Sequence, residues 1–388
     1  MAEVTAMAAS YSADCHHILS LLARSRNVLL SGAPGTGKSK LLAEVALAFE
    51  AALGVSPVGG APKLNPSGRI PIPPAAGSVK NIPAPTKTDR KVFRTVFHQN
   101  SKYRDFLSGI TPAVNKVAGA PDFNIVKGTL YRASEHAKSP NGAALLIIDE
   151  INRGPAVQVF GGAIVAIESD KRLAPDGNKR PETQFFELLD PTTGEVIPYA
   201  LPHDLYILAA MNQADASVEP LDVAFLRRWE PLRLEPDEAI LRAFYGLGAA
   251  NSNALPDMPA SVMDALEASV RAWVAVNEQI ALGRGPEFQI GHGVLLSDMN
   301  IQTLSLPEVL SILCVGWAKV RAHVEEVFFG DIRGIAAALN ALDGPAFNPF
   351  KLTETTFADD LRFRLEGPTN FTEGNIYTTL RAFAHPRG

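Results

Sequence analysis

The residues with the clearest chemistry form a glycine-rich motif that directly follows an apolar run at Asn27–Leu30. Its members are Gly32, Ala33, Pro34, Gly35, Thr36, Gly37, Lys38 and Ser39, the full pattern G-x-x-x-x-G-K-S. Before a helical stretch this pattern predicts a phosphate-binding loop (P-loop), because glycines let backbone N–H groups turn toward an anion. We expect Lys38 to reach the β- and γ-phosphates of a nucleoside triphosphate and Ser39 to ligate Mg²⁺.

Two adjacent acids, Asp149 and Glu150, end the apolar run Ala143–Ile148. Successive side chains of a strand point to opposite faces of the sheet, so the two carboxylates are expected to do different work. We expect Asp149 to hold Mg²⁺ through water and Glu150 to act as the general base toward the attacking water. Together with the P-loop, the pair is typical of a Walker B motif.

A third polar group, Asn212, follows the apolar run Leu205–Met211. Open α/β sheets bind ligands at the carboxyl ends of their strands, so Asn212 is expected to orient the lytic water or contact the γ-phosphate. The spacing from Asn212 to Asp215 also resembles the guanine-reading motif of GTPases. That motif stands at the base end of the nucleotide, whereas a strand beside the Walker B strand would deliver Asn212 near the γ-phosphate, which favours the first interpretation.

Two arginines, Arg227 and Arg228, follow a short helical stretch after Leu221. Paired arginines are often surface charges. In an NTPase they are also candidates for arginine fingers, which stabilise transition-state charge across a subunit boundary. Catalysis would then depend on assembly.

The elements that must position these residues alternate between buried strands and helices up to about residue 235, which predicts an α/β domain with a parallel sheet. Helical spacing is seen in Lys38–Leu53, Gly128–Ala137 and Val157–Glu168. Two insertions interrupt the pattern: a Pro-rich basic one at 57–91 and one at 171–203 that carries hairpin chemistry. Residues 236–345 show helical periods and predict a smaller all-α domain, and 346–388 form a C-terminal extension without a clear pattern.

Composition narrows the functional classes. The chain has 388 residues, 36 basic and 41 acidic side chains and a net charge of −5, which does not favour general nucleic-acid or membrane binding. Between 63 and 104, however, nine Lys or Arg accompany the single acid Asp89, so DNA contact through this segment or through a partner stays open. Two cysteines, no long apolar run and no secretory signal predict a cytoplasmic protein without membrane spans.

The ordered set of motifs resembles the McrB-like branch of the AAA+ superfamily, the motor subunits of modification-dependent restriction systems. Besides the P-loop, the resemblance rests on five stretches: Val96–Ile110, Ile147–Arg153 (IIDEINR), Met211–Asp215 (MNQAD), Leu221–Trp229 and Leu282–His292, which ends in IGH. It implies a Mg²⁺-dependent ATPase or GTPase with an AAA+ α/β core and a helical lid. It also implies a homo-oligomeric ring, which is a hexamer in the family, and an McrC-like endonuclease partner.

The resemblance carries further site assignments. Asp215 of the MNQAD stretch would belong to the catalytic set, and His292 falls near the sensor-II position of the lid, where it would contact nucleotide. A histidine flanked by Gly291 and Gly293 is equally compatible with a local packing or turn role. The family usually has Arg where this chain has Ala216, which leaves ATP and GTP both open.

Two other functions remain compatible with these residues. A MoxR-type remodelling chaperone with a von Willebrand-type partner would share the core, the inserted hairpin and the paired arginines. A nucleotide-dependent scaffold that does not turn over would need no catalytic acid. Because the P-loop begins at Gly32, we expect no separate N-terminal reader domain, so target recognition would lie elsewhere.

Overall fold

The computed structural model of the protein describes residues 11–51, 82–113, 123–212, 214, 221–250, 253–342 and 344–387. It divides into two compact units. The first unit comprises the chain up to Ser31 together with Lys38–Arg233. The second comprises Leu234–Gly388 and also the P-loop segment Gly32–Gly37, so the loop's own contacts are mainly with the C-terminal half.

The first unit alternates strands and helices. Its strands are β1 Asn27–Gly32, β2 Asp89–Val96, β3 Ser108–Pro112, β4 Phe123–Lys127, β5 Gly142–Asp149, β6 Phe186–Leu189, β7 Val196–Tyr199, β8 Leu205–Asn212 and β9 Glu230–Leu234. Its helices are α1 Ala13–Ser25, α2 Lys38–Ala51, α3 Tyr103–Phe106, α4 Thr129–Lys138, α5 Ala156–Phe160, α6 Ala163–Ala166 and α7 Val223–Leu226.

Five of these strands form the central sheet, in the order β2-β5-β8-β1-β9. Strand β5 pairs in parallel with β2 on one side and with β8 on the other. Both β5 and β8 are buried along nearly their whole length, which explains why they read as continuous apolar runs rather than as alternating patterns. The α/β class predicted from the sequence is confirmed.

One helix prediction is wrong in detail. Val157–Glu168 is not a single helix, because α5 ends at Phe160 and α6 begins only at Ala163. Gly161 has a φ of +50°, and a Cβ there would lie 2.7 Å from the Tyr103 ring. The backbone therefore turns where a side chain would not fit.

The two insertions have different outcomes. The predicted hairpin between 171 and 203 is present as β6 and β7, and β3 with β4 forms a second hairpin that the sequence did not indicate.

Much of the Pro-rich basic insertion lies outside the described residues. Of its described cations, Arg90 is buried, with its guanidinium 4.2 Å from the centre of the Phe49 ring, so it supports the fold rather than facing a polyanion.

The second unit is mainly helical, as expected. It contains α8 Glu238–Tyr245, α9 Val262–Gly283, α10 Leu306–Val327, α11 Ile332–Ala338, the antiparallel pair β10 Lys351–Phe357 and β11 Asp360–Glu366, and α12 Ile376–Phe383. Side chains from beyond residue 346, among them Phe350, Leu380 and Phe383, share one hydrophobic core with Trp273 and Trp317. The last segment is thus packed into the helical unit.

None of the helices in the described ranges is both long enough and apolar enough to cross a bilayer.

Arg172 connects several parts of the first unit through hydrogen bonds to carbonyl and amide oxygens. Arg172 is fully buried, and its guanidinium donates to the carbonyl oxygens of Ile167 (3.0 Å) and Leu205 and to Asn27 Oδ1 (2.6 Å). Burial, with repulsion from Arg26, lowers the pKa of Arg172 to about 9, which leaves the group charged at neutral pH. Its hydrogen bonds connect β1, β8 and the end of the α6 segment.

Replacing Arg172 with alanine is expected to lower the free energy of unfolding by about 3 kcal/mol or more, because three buried acceptors lose a charged donor. Urea unfolding followed by circular dichroism measures this. Arg362→Ala is the control, since that side chain is 60% exposed and should change stability by less than about 0.5 kcal/mol. Equal effects of the two changes would show that the Arg172 hydrogen bonds contribute nothing net.

Candidate functional site

The P-loop leaves the end of β1 with a backbone that depends on glycine. Gly35 and Gly37 have φ angles of +79° and +88°, a region that side chains rarely adopt. A Cβ on Gly32 would lie 2.6 Å from the Leu234 carbonyl oxygen. Inside the loop, the Thr36 hydroxyl donates to the Ala33 carbonyl oxygen at 2.9 Å, which fixes the turn before α2.

Helix α2 begins at Lys38, so Lys38 and Ser39 both stand in its first turn. Burial lowers the pKa of Lys38, and the negative charges of Glu150 and Asp149 oppose this shift. Within the first unit, Lys38 thus lies in the field of the two acids that end β5. A helix N-terminus and a lysine beside it form an environment that favours a bound polyanion.

The acids and the amide predicted from the sequence do come together. Asn212 Nδ2 donates to Glu150 Oε1 at 2.7 Å. The parallel pairing of β5 with β8 accounts for this contact, because both strands end at the same edge of the sheet. Glu150 leaves the strand with a φ of +52°, a left-handed conformation that turns its side chain away from the strand alternation. Its neighbour Asp149 accepts the Glu150 N–H on Oδ1 at 3.0 Å.

Two supporting residues were missed by sequence reasoning. Arg153 Nε lies 3.2 Å from Glu150 Oε2, so the two carboxylate oxygens of Glu150 face different donors. Asn152 is buried, and its Nδ2 donates to the Asn212 carbonyl oxygen at 2.7 Å. A signal was available, because both residues belong to the Ile-Asn-Arg run directly after the acids, Ile151–Arg153, which forms a 3-10 turn.

The two arginines of the predicted finger pair differ in their surroundings. Arg228 is mostly buried, forms an ion pair with Glu168 (Nε to Oε1, 2.9 Å) and donates to the Ala224 carbonyl oxygen. Arg227, at the C-terminal end of α7, is exposed. Only Arg227 therefore has the accessibility that contact with another molecule requires.

Two predicted site residues remain, His292 and Asp215. His292 is buried in the second unit, where its Nδ1 accepts the backbone N–H of Asp237 at 3.3 Å. This contact fits the packing role that the sequence left open, and contact of His292 with nucleotide stays a prediction. Asp215 lies outside the described residues.

Part of the chain matches a known family model, and two curated proteins have similar sequences. Residues 83–229 match the family model of the AAA domain of the dynein-related subfamily, a range that begins after the P-loop. Among curated proteins, the chain is 28% identical over 258 residues to the type IV methyl-directed restriction enzyme EcoKMcrB subunit of Escherichia coli K12, covering 63% of this chain and 49% of that protein.

A second relative is the type II restriction enzyme BsuMI component YdiS of Bacillus subtilis 168, 31% identical over 224 residues, covering 54% of this chain and 58% of that protein. The chain thus spans about half the length of the curated relatives it matches. A solved structure of NtrX from Brucella abortus in complex with ATP is 12% identical, with a TM-score of 0.30, over 86% of this chain and 65% of that one.

Lys38→Ala is expected to weaken binding of a nucleoside triphosphate by about 10- to 100-fold or more, because a charged donor to the phosphates is lost. Titration with fluorescent ATP and GTP analogues measures the affinity. Lys40→Ala is the matched control, since Lys40 is exposed on the same helix two residues further on and does not share the face of Lys38. Unchanged affinity in the Lys38 variant would refute the P-loop assignment.

Proposed function

We propose that this protein, whose residues 83–229 match the family model of the AAA domain of the dynein-related subfamily, is a Mg²⁺-dependent nucleoside triphosphatase that works as a ring motor in a restriction-type defence complex. One observation carries the enzymatic part. Within the first unit, which also contains Lys38, the carboxyl edge of the parallel sheet brings Glu150 and Asn212 within hydrogen-bond distance, 2.7 Å. A protein that only bound nucleotide would have no use for a carboxylate held in this way.

The proposed reaction is hydrolysis of the γ-phosphate. The oxygen of a water attacks the γ-phosphorus, Glu150 accepts the proton of that water, and the bond from the γ-phosphorus to the β,γ-bridging oxygen breaks. Asn212 and Arg153 hold the carboxylate of Glu150 before the reaction. A carboxylate offers about four acceptor positions, so Glu150 can keep both contacts and still accept from the water.

Magnesium fits the donors that are present. Ser39 offers a hydroxyl, and Asp149 offers a carboxylate that is oriented by the Glu150 N–H; these are the hard oxygen ligands that Mg²⁺ prefers beside phosphate oxygens. When bound, the ion neutralises charge on the β- and γ-phosphates. Lys38 contributes a second positive charge on the same phosphates.

Assembly into a ring, a hexamer by analogy with the family, is supported by the exposed face of α7. Val223 is 79% exposed and Arg227 lies four residues later, so both side chains share one face of the short helix. An exposed valine beside an exposed arginine suits a surface that another subunit covers. Arg227 would then stabilise the transition state in the neighbouring site, while Arg228 supports α7 from within through Glu168.

The partner and the biological role rest on the two relatives. Both are named as components of restriction enzymes, which favours a partner nuclease of the McrC type over a von Willebrand-type chaperone partner. We propose that nucleotide turnover in the ring drives this nuclease and that the nuclease stimulates turnover. ATP and GTP are both proposed as substrates.

Glu150→Gln should abolish turnover and leave triphosphate binding intact, because the amide keeps the shape of the side chain but cannot accept a proton. Release of inorganic phosphate from ATP and from GTP, each with Mg²⁺, is measured side by side, alone and with the product of the neighbouring gene. Binding is titrated in parallel. If the wild-type protein releases no phosphate under any of these conditions, or if the Gln variant matches it, the enzymatic proposal fails.

Arg227→Ala is expected to reduce turnover by about 10³- to 10⁵-fold with nucleotide affinity retained, as for loss of an arginine finger. Arg228→Ala is its matched control, which should mainly lower thermal stability because Glu168 loses its partner. Mixing Arg227→Ala with Lys38→Ala subunits should restore part of the activity, since each variant supplies what the other lacks. No restoration, with mixed assemblies formed, would argue against action between subunits.

A further inference from the structure

A short segment of the second unit lies directly on the backbone of the P-loop. This segment, Ile290–Val294, is called the strap here. The Gly291 N–H donates to the Pro34 carbonyl oxygen and the Gly293 N–H donates to the Gly35 carbonyl oxygen, both at 2.8 Å. The strap thus binds carbonyl groups of the loop, whereas a phosphate would bind its N–H groups, so both contacts can exist together.

The close approach depends on glycine in the strap. A Cβ on Gly291 would lie 2.0 Å from the Gly35 carbonyl carbon, and a Cβ on Gly293 would lie 2.7 Å from the Gly35 carbonyl oxygen. Real Cβ atoms do not approach backbone atoms so closely, so a side chain at either position would displace the strap or the loop. Glycine at positions 291 and 293 therefore allows the strap to lie close to the P-loop backbone.

One buried side chain holds the strap in place. Asn277 is 4% exposed on the long helix α9, where Val276 and Ile280 of the hydrophobic core flank it. Its Oδ1 accepts the Ile290 N–H at 2.6 Å, and its Nδ2 donates to the Ile290 carbonyl oxygen at 2.9 Å. Both backbone groups of the first strap residue are thereby fixed to α9.

A second anchor holds the other side of the strap. His292 Nδ1 accepts the N–H of Asp237, the residue that caps α8. Helix α8 is in turn joined to α9 by a two-point ion pair between Arg242 and Glu267, at 2.9 and 3.0 Å. The strap is therefore attached to two helices that are themselves connected.

We propose that Asn277 is a positioning residue for nucleotide binding: through the strap, it holds the P-loop in its phosphate-binding conformation before the nucleotide arrives. A loop ordered in advance loses less conformational entropy on binding, so the affinity for triphosphate is higher. Asn277 touches no phosphate and acts through Ile290, Gly291 and Gly293. This inference rests on the proposed nucleotide binding and adds a residue to it.

The same unit contains a matched control. Asn348 is also 4% exposed and also clamps backbone from both sides: its Nδ2 donates to the carbonyl oxygens of Leu339 (3.1 Å) and Asn340 (2.6 Å), and its Oδ1 accepts the Phe350 N–H at 2.9 Å. These partners are not P-loop residues or strap residues. Loss of Asn348 therefore removes equivalent hydrogen bonds without touching the strap.

The test compares Asn277→Ala with Asn348→Ala in the full chain. Fluorescent ATP and GTP analogues with Mg²⁺ give the dissociation constant, phosphate release gives kcat and KM, and thermal unfolding gives Tm. We expect both variants to lower Tm, but only Asn277→Ala to raise Kd and KM, by about tenfold, with kcat at saturation within about threefold.

Hydrogen exchange in the nucleotide-free protein provides an independent measurement. Asn277→Ala should accelerate exchange of the Gly291 and Gly293 amides, which donate to the P-loop, and Asn348→Ala should not. If the wild-type protein bound no nucleotide, the proposed function would fail, and this exchange measurement would still decide whether Asn277 orders the strap. The inference is overturned if the two alanine variants show the same Kd and the same exchange at these glycines.

A second pair of variants covers the case in which Asn277→Ala does not fold. Gly293→Ala places a methyl group against the Gly35 carbonyl oxygen, whereas Gly248→Ala meets no atom within 4 Å. We expect the first to weaken triphosphate binding by about tenfold or more and the second to leave it unchanged. Equal affinities for the two folded variants would contradict the role of the strap.

Discussion

The parallel pairing of β5 with β8 is the constraint on which the proposed chemistry depends. Its register sets Ile148 opposite Ala209, so the residues that follow on each strand leave the sheet together. Glu150 and Asn212, distant in sequence, then meet at 2.7 Å. A shift of one residue in this register would turn Asn212 to the other face of the sheet and away from Glu150, because side chains alternate along β8.

Glu150 and the P-loop are held by different kinds of contact. Side chains orient Glu150, through Asn212 and Arg153. The P-loop is held by backbone hydrogen bonds from Gly291 and Gly293. Most side-chain substitutions leave such backbone hydrogen bonds intact. A substitution of Gly291 or Gly293 adds a Cβ that would displace the strap or the loop.

Much of the fold was predictable because long apolar runs mark buried parallel strands, and the P-loop and the acids could be placed at the ends of such runs. Other features depend on contacts that local pattern does not encode. Arg227 and Arg228 are equivalent in sequence, and only the burial of Arg228 against Glu168 separates them. The break at Gly161 follows from the nearby Tyr103 ring, and the role of Asn277 follows from its pairing with Ile290. Each of these three features depends on a contact with a residue distant in sequence, which the local sequence pattern does not identify.

Residues beyond 346 had no recognisable period, because their order comes from tertiary packing. Phe350, Leu380 and Phe383 fill the core around Trp317, and the intervening hairpin of β10 and β11 has mostly exposed residues. An amphipathic helix of only eight residues such as α12 is marginal alone. It persists here because one face is buried.

The left-handed backbone of Glu150 has an evolutionary consequence. A non-glycine residue at a φ of +52° costs about 1 kcal/mol relative to an ordinary conformation, a strain that glycine or asparagine at this position would relieve. Selection for stability alone would therefore remove the carboxylate. If Glu150 is the general base that we propose, stability and activity oppose each other at this residue, because the carboxylate that serves the reaction also keeps the backbone strain.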